Sequence, residues 1–186
     1  SVWRRVENWG TKMQVVEARQ QVKAYELEEP RQHDPNRSLG KMGVAMDGAM
    51  IHIQKEGWKE LKVGCVFEVA ARTVIDPKTK EEVDLGSAVN NTYVAHLGGP
   101  EVFGRQLWAD ARQRSWMDVE DSLAIGDGAT WIWNLVGEHF YASHQIVDWY
   151  HAVQHLAEAA RSIYGEATPQ YRRWYRQWET KLYQGH

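Results

Sequence analysis

The hydrophobic period of this chain shifts from strand to helix at Gly98-Gly99-Pro100, and that shift restricts its fold more than any other feature. Before it, residues 44–53 and 60–69 are apolar and rich enough in β-branched side chains to be strands, with Lys55-Glu56-Gly57 as a hairpin connection. A polar loop over 76–86 follows, and 91–97 fits a third short strand. After the change, Val102, Phe103, Leu107, Trp108 and Ala111 fall on one helical stripe, and Pro100 suits its first turn. Residues 122–127 then read as a short buried strand, 129–139 as a helix, 145–148 as a second short strand, and 149–163 and 169–183 as helices. Ahead of all this, residues 2–28 carry apolar side chains loosely at helical spacing, as an exposed or docking helix would, and 29–37, with Pro30 and Pro35, read as a linker.

Three antiparallel strands followed by alternating helix and strand have few solutions. Each strand–helix–strand step implies parallel strands joined by a right-handed crossover. The expected fold class is therefore α/β: a ribonuclease H-like mixed five-stranded sheet, three antiparallel strands then two parallel ones, with flanking helices. The composition agrees. With 43% hydrophobic and 25% charged residues, 186 residues suffice for one well-packed domain with an appended helical piece. No apolar run approaches the roughly 18–20 residues that span a bilayer, and no signal-peptide pattern opens the chain, so a cytoplasmic protein without a membrane partner is expected. A single cysteine, Cys65, excludes an internal disulfide and a multi-cysteine zinc site. The net charge of −3 gives no basic excess for holding phosphates. Any nucleic-acid affinity must come from local basic patches or from parts outside these residues.

Asp-Gly-Ala occurs twice, at Asp47-Gly48-Ala49 and Asp127-Gly128-Ala129, each time after an apolar strand-like run. Taken alone, the first reads equally as a hairpin turn and the second as a helix cap. Taken with the strand order they become a pair, because the first strand is central and the fourth lies parallel beside it. Two carboxylates then meet at one edge of the sheet, an arrangement that calls for a neutralising cation or proton. Magnesium is the natural occupant, since it binds one or two carboxylates and keeps positions open for phosphate oxygens. Gly48 and Gly128 would let a phosphate backbone approach closely. Further on, Asp148, His151 and His155 share one helical face, which reads either as a zinc or manganese site or as a hydrogen-bonded Asp–His pair that caps the helix.

These residues also carry a resemblance. Trp58-Lys59-Glu60-Leu61-Lys62-Val63-Gly64, the string Ile125-Gly126-Asp127-Gly128-Ala129-Thr130-Trp131-Ile132-Trp133-Asn134 and Ile146-Val147-Asp148-Trp149-Tyr150-His151-Ala152 are similar to the Kra-type insertion-sequence transposases, a bacterial group with an Asp-Asp-Glu active site. The similarity runs from near Val2 to the end of the chain. It implies a metal-dependent DNA strand-cleaving and strand-transferring enzyme that uses Mg2+ or Mn2+. Asp47 and Asp127 match the first two catalytic, metal-binding acids, and Asp148 and His151 match a structural Asp-x-x-His signature. The partners implied are transposon-end and target DNA, in a bacterial cytoplasmic protein that is nucleoid-associated when on DNA and whose parent forms a homo-oligomer. The family's glutamate stands in a Gly-Ser-Gly-x-x-Glu context that does not occur before His186, and Glu179 lacks that context. The chain, which opens inside a helix without Met, is accordingly expected to be a fragment, inactive and weakly metal-binding by itself. Its expected parts are an N-terminal helix and linker (1–41), a catalytic core (42–148) and the start of a helical insertion (149–186).

The last segment, Tyr171-Arg172-Arg173-Trp174-Tyr175-Arg176-Gln177-Trp178, alternates basic and aromatic side chains. Arg172, Arg173 and Arg176 are thus candidate nucleic-acid contacts, while Trp174 and Trp178 at i, i+4 equally make an inward stripe with the arginines in solvent. Two alternatives to a transposase remain at this point: a non-catalytic DNA-binding or protein-interaction module derived from one, and a ribonuclease H-like nuclease.

Overall fold

The sheet is built outward from one central strand, β1 (Lys41–Ile53), which pairs antiparallel with β2 (Gly57–Ile75) along its whole length. The turn between them is tight because Lys55 and Gly57 both take positive φ, 71° and 79°, which matches the right-handed twist of the flanking strands. In this computed structural model residues 2–26, 40–76 and 80–185 are described, and the expected linker lies outside them. β3 (Glu82–Leu97) returns antiparallel on β2. β4 (Asp121–Gly126) then joins the free edge of β1 in parallel, and β5 (His144–Val147) joins β4 in parallel. The order β3-β2-β1-β4-β5 is the mixed five-stranded sheet expected of a ribonuclease H-like arrangement.

Among the described residues, six helical segments accompany the sheet: α1 (Val2–Tyr25), α2 (Pro100–Gln113), a single 3-10 turn (Trp116–Asp118), α3 (Thr130–His139), α4 (Trp149–Tyr164) and α5 (Pro169–Tyr183). Pro100 opens α2 as the sequence suggests, and α1 packs on α2. The core lies where α2 and α3 cover one sheet face, with Val44, Val66, Phe103, Leu107, Ile132 and Phe140 fully buried. Close approaches at Gly64 and Gly126 there favour glycine. A Cβ on Gly64 would lie 2.8 Å from Leu107 and 2.9 Å from Phe103. On Gly126 it would lie 2.6 Å from Ile132. Side chains alternate along a strand, so Ala45, Cys65 and Ile125 point to the opposite face, where they are half-buried. None of the described helices is long and apolar enough to cross a membrane.

The hairpin of β2 and β3 is longer than its composition suggests. Glu82–Gly86, expected in a loop, pairs residue by residue with Ile75 back to Ala71, so the third strand is not short. Backbone pairing sustains these polar residues, with Thr73 donating to Asp84 across the strands at 2.7 Å. Polarity misleads here because both faces of this arm are open to solvent. Where the arm leaves the core a bulge sets two residues of β3 against Phe67, and Asn90 takes φ 52° to make it.

His139 sits beneath α2, nearly parallel to the Trp108 ring at 5.9 Å. Burial pushes its ring below the ordinary histidine value, Glu138 opposes this and Arg105 adds to it. The folded state thus favours the neutral ring while the unfolded chain takes its proton near pH ~6.5. Stability is complete above that pH and declines as pH falls through it toward the lower native value. The urea midpoint is expected to drop between about pH 7 and pH 5, and His139→Gln is expected to flatten that part of the profile.

Candidate metal centre

The parallel ladder between β1 and β4 ends at the pair Met46–Gly126, so Asp47 and Asp127 are the next residues along two adjacent strands. Asp127 therefore stands just past the carboxyl end of β4, where α/β sheets open their crevices, beside Asp47 in the middle of β1. Asp47 is opposite Val63 within β1 rather than in a turn, and its Oδ1 accepts the Gly48 N–H at 2.7 Å. Asp127 lies just past β4, and its Oδ1 accepts the Ala129 N–H at 2.8 Å. Gly128 follows with φ 99°, a backbone conformation that favours glycine. Ala129, not Asp127, is the N-cap of α3, and it makes no side-chain cap. Asp47 thus has no hairpin-turn role and Asp127 is not the helix N-cap, although its bond to the Ala129 N–H closes a turn just ahead of α3.

α4 is fastened to this point at its very start. The Asp148 N–H donates to the Gly126 carbonyl at 2.8 Å, tying the beginning of α4 to the end of β4. Asp148 then caps α4: its Oδ1 accepts the His151 backbone N–H at 3.1 Å and meets the His151 Nδ1 at 3.1 Å. Burial raises the Asp148 carboxyl, but the His151 backbone and ring hydrogen bonds, with the Tyr150 N–H, outweigh it and hold the group below the usual carboxylate value. Of the two sequence readings of Asp148, His151 and His155, the capping pair is the one present. His155 turns to Glu158 at 3.2 Å.

Ligand atoms of Asp47, Asp127 and His151 lie within 4.8 Å of one another. Among the described residues this is the one convergence of three metal-ligating side chains. The group lines a cavity of about 240 Å³ together with Asp148, on the open face of the sheet. Two carboxylates and one imidazole nitrogen suit a divalent cation: the acids supply charge, and each has given only one oxygen to a local N–H. His151 is the member that sequence spacing assigns to a different grouping. The Asp-x-x-His interval signals the cap, but nothing in it reveals that α4 starts beside the end of β4 and brings His151 to Asp47.

Other candidates fall elsewhere. Gly48 belongs to the core face, where a Cβ would lie 2.7 Å from Glu60 and 3.7 Å from Trp131, so it opens no approach to the cavity. Beneath it Lys62 is buried, ion-paired with Glu60 at 2.9 Å and 5.2 Å above the Trp131 ring. Glu179 accepts the Tyr175 hydroxyl at 3.0 Å and is not one of the converging ligands. Arg172, Arg173 and Arg176 are exposed along α5, while Tyr171, Trp174 and Tyr175 are half-buried as α5 pairs with α4. Trp174 and Trp178 pack together at 5.7 Å, as an i, i+4 pair does. No protein-family profile, characterised protein or solved structure matches the chain.

Asp148→Ala removes a cap and the ring partner together. A loss of roughly 1 kcal/mol of stability is expected from the cap, measured by urea unfolding, with Asp148→Asn recovering most of it.

Proposed function

We propose that the chain is catalytic-core material of a DNA transposase of the kind it resembles, with Asp47 and Asp127 as ligands for Mg2+ or Mn2+. The observation that carries this reading is the meeting of the two acids where the parallel pairing of β1 and β4 stops. The ribonuclease H-like strand order and the Gly126-Asp127-Gly128-Ala129 string support it. A divalent ion bound there would activate water or a 3′-hydroxyl and take up charge on the leaving oxygen of an in-line phosphoryl displacement. Asp47 holds its carboxylate on a rigid central strand. Asp127 holds its own on a turn fixed by Gly128 and by the Ala129 N–H. The open face beside them leaves room for a phosphate backbone, and the substrates proposed are transposon-end and target DNA, engaged by a homo-oligomer of the parent protein.

A second reading is a non-catalytic DNA-binding or interaction module derived from such an enzyme. One observation favours it: among the described residues the third side chain at the cluster is an imidazole, not a carboxylate.

Calorimetric titration with Mg2+ and with Mn2+, run beside nicking of supercoiled DNA in each metal, tests the proposal. Metal binding is expected to be abolished in both Asp47→Asn and Asp127→Asn. Nicking abolished in the same variants supports the transposase core, binding lost in both without any nicking still supports the shared metal site of an inactive core, and binding that survives both substitutions supports the module. No heat from the unaltered chain removes the metal site and the proposal with it.

The exposed arginines of α5 make a separate prediction. Replacing Arg172, Arg173 and Arg176 by Ala is expected to weaken DNA binding about equally across sequences. The slope of log affinity against log salt should fall by about 0.9 for each phosphate that is no longer neutralised, read by fluorescence anisotropy.

A further inference from the structure

We propose that His151 is a third protein ligand at the Asp47–Asp127 site and that it makes the site prefer Mn2+ to Mg2+. This rests on reading the acid pair as a divalent-metal site. His151 brings a nitrogen ligand within 4.8 Å of ligand oxygens from both aspartates. Its position is set by two independent interactions of Asp148. The backbone bond from the Asp148 N–H to Gly126 continues the β4–β5 ladder and so places the first turn of α4 beside the end of β4. The Asp148 carboxylate then holds the ring at Nδ1, 3.1 Å away, and the same oxygen takes the His151 N–H.

A neutral ring that donates from Nδ1 to a carboxylate keeps Nε2 free of a proton, with its lone pair available to a cation. A carboxylate behind an imidazole is the recurrent outer partner of histidine ligands: it fixes the tautomer and strengthens the nitrogen as a donor. Asp148 is thus a positioning residue for His151. His155, one turn further along α4, has no such place, since its Nδ1 is engaged by Glu158 and it is largely exposed.

The donor set decides the metal. Mg2+ demands oxygen ligands in near-ideal octahedral geometry and dehydrates reluctantly. Mn2+ also accepts carboxylates but tolerates nitrogen, and a mixed site of two oxygens and an imidazole gains more from it than from Mg2+. An all-carboxylate site would lack this discrimination.

The test uses the chain as it is, with Mn2+ as the probe. Free Mn2+ is followed by electron paramagnetic resonance during titration, with Mg2+ as competitor, and the bound ion is examined for electron spin-echo modulation from ¹⁴N. The expected result is ¹⁴N modulation in the unaltered protein and Mn2+ binding about ten-fold or more tighter than Mg2+. In His151→Ala the modulation disappears and Mn2+ affinity falls about ten-fold or more, while Mg2+ affinity stays within about two-fold. Asp148→Asn, which keeps an oxygen at the cap, weakens Mn2+ by about ten-fold. Mn2+ bound without ¹⁴N modulation, and equally well by His151→Ala, overturns the role of His151 and leaves the acid pair standing. No binding of either metal by the unaltered chain overturns both. The modulation is read on the unaltered protein, so the outcome does not depend on whether a variant folds.

Discussion

The parallel register of β1 and β4 is the constraint on which the rest of the site depends. Because the ladder closes at Met46 and Gly126, the next residue on each strand is an aspartate, and neither can leave the other's neighbourhood without breaking sheet hydrogen bonds. Glycine at 126 is favoured for a separate reason, the close approach of Ile132, so the packing of α3 and the placing of Asp127 are fixed by the same turn of chain. A slip of one residue in this pairing would send Asp47 to the core face among apolar side chains. Burial of Val44, Met46 and Ala124 on that face resists the slip.

The acids are held in a way that leaves them chemically available. Each aspartate gives one oxygen to a nearby backbone N–H, Gly48 for Asp47 and Ala129 for Asp127. Those bonds orient the carboxylates toward a common point. The third converging group comes from outside the sheet, carried on α4, which follows directly from β5; the β4–β5 ladder, the Asp148-to-Gly126 backbone bond that continues it and a side-chain cap hold it there. The site thus joins two sheet positions, Asp47 within β1 and Asp127 just past β4, to a helix that β5 delivers and Asp148 caps.

Much of this was legible in the residues. β-Branched apolar runs before Gly98, with helical stripes and short strand-like runs after it, specify the sheet order, and Pro100 and Pro169 mark helix starts that the structure keeps. The pairing of Asp47 with Asp127 follows from that order. What was hidden depends on tertiary contacts with no local signature. Glu82–Gly86 looks like loop because its partner strand, not its own composition, makes it a strand. His151 looks like part of a helix face with His155, because spacing along α4 says nothing about the bond from Asp148 to Gly126. Gly48, next to a site residue, looks like an opening to the cavity, yet strand alternation turns its Cα hydrogens toward Glu60 and Trp131.

The central claim is that the carboxylates of Asp47 and Asp127 share one divalent cation, and crystals soaked in Mn2+ test it most directly. The account predicts an anomalous difference peak between the two carboxyl groups at Mn–oxygen bonding distance. Ordered carboxylates turned away from each other, with Mn2+ bound elsewhere or nowhere, would contradict it.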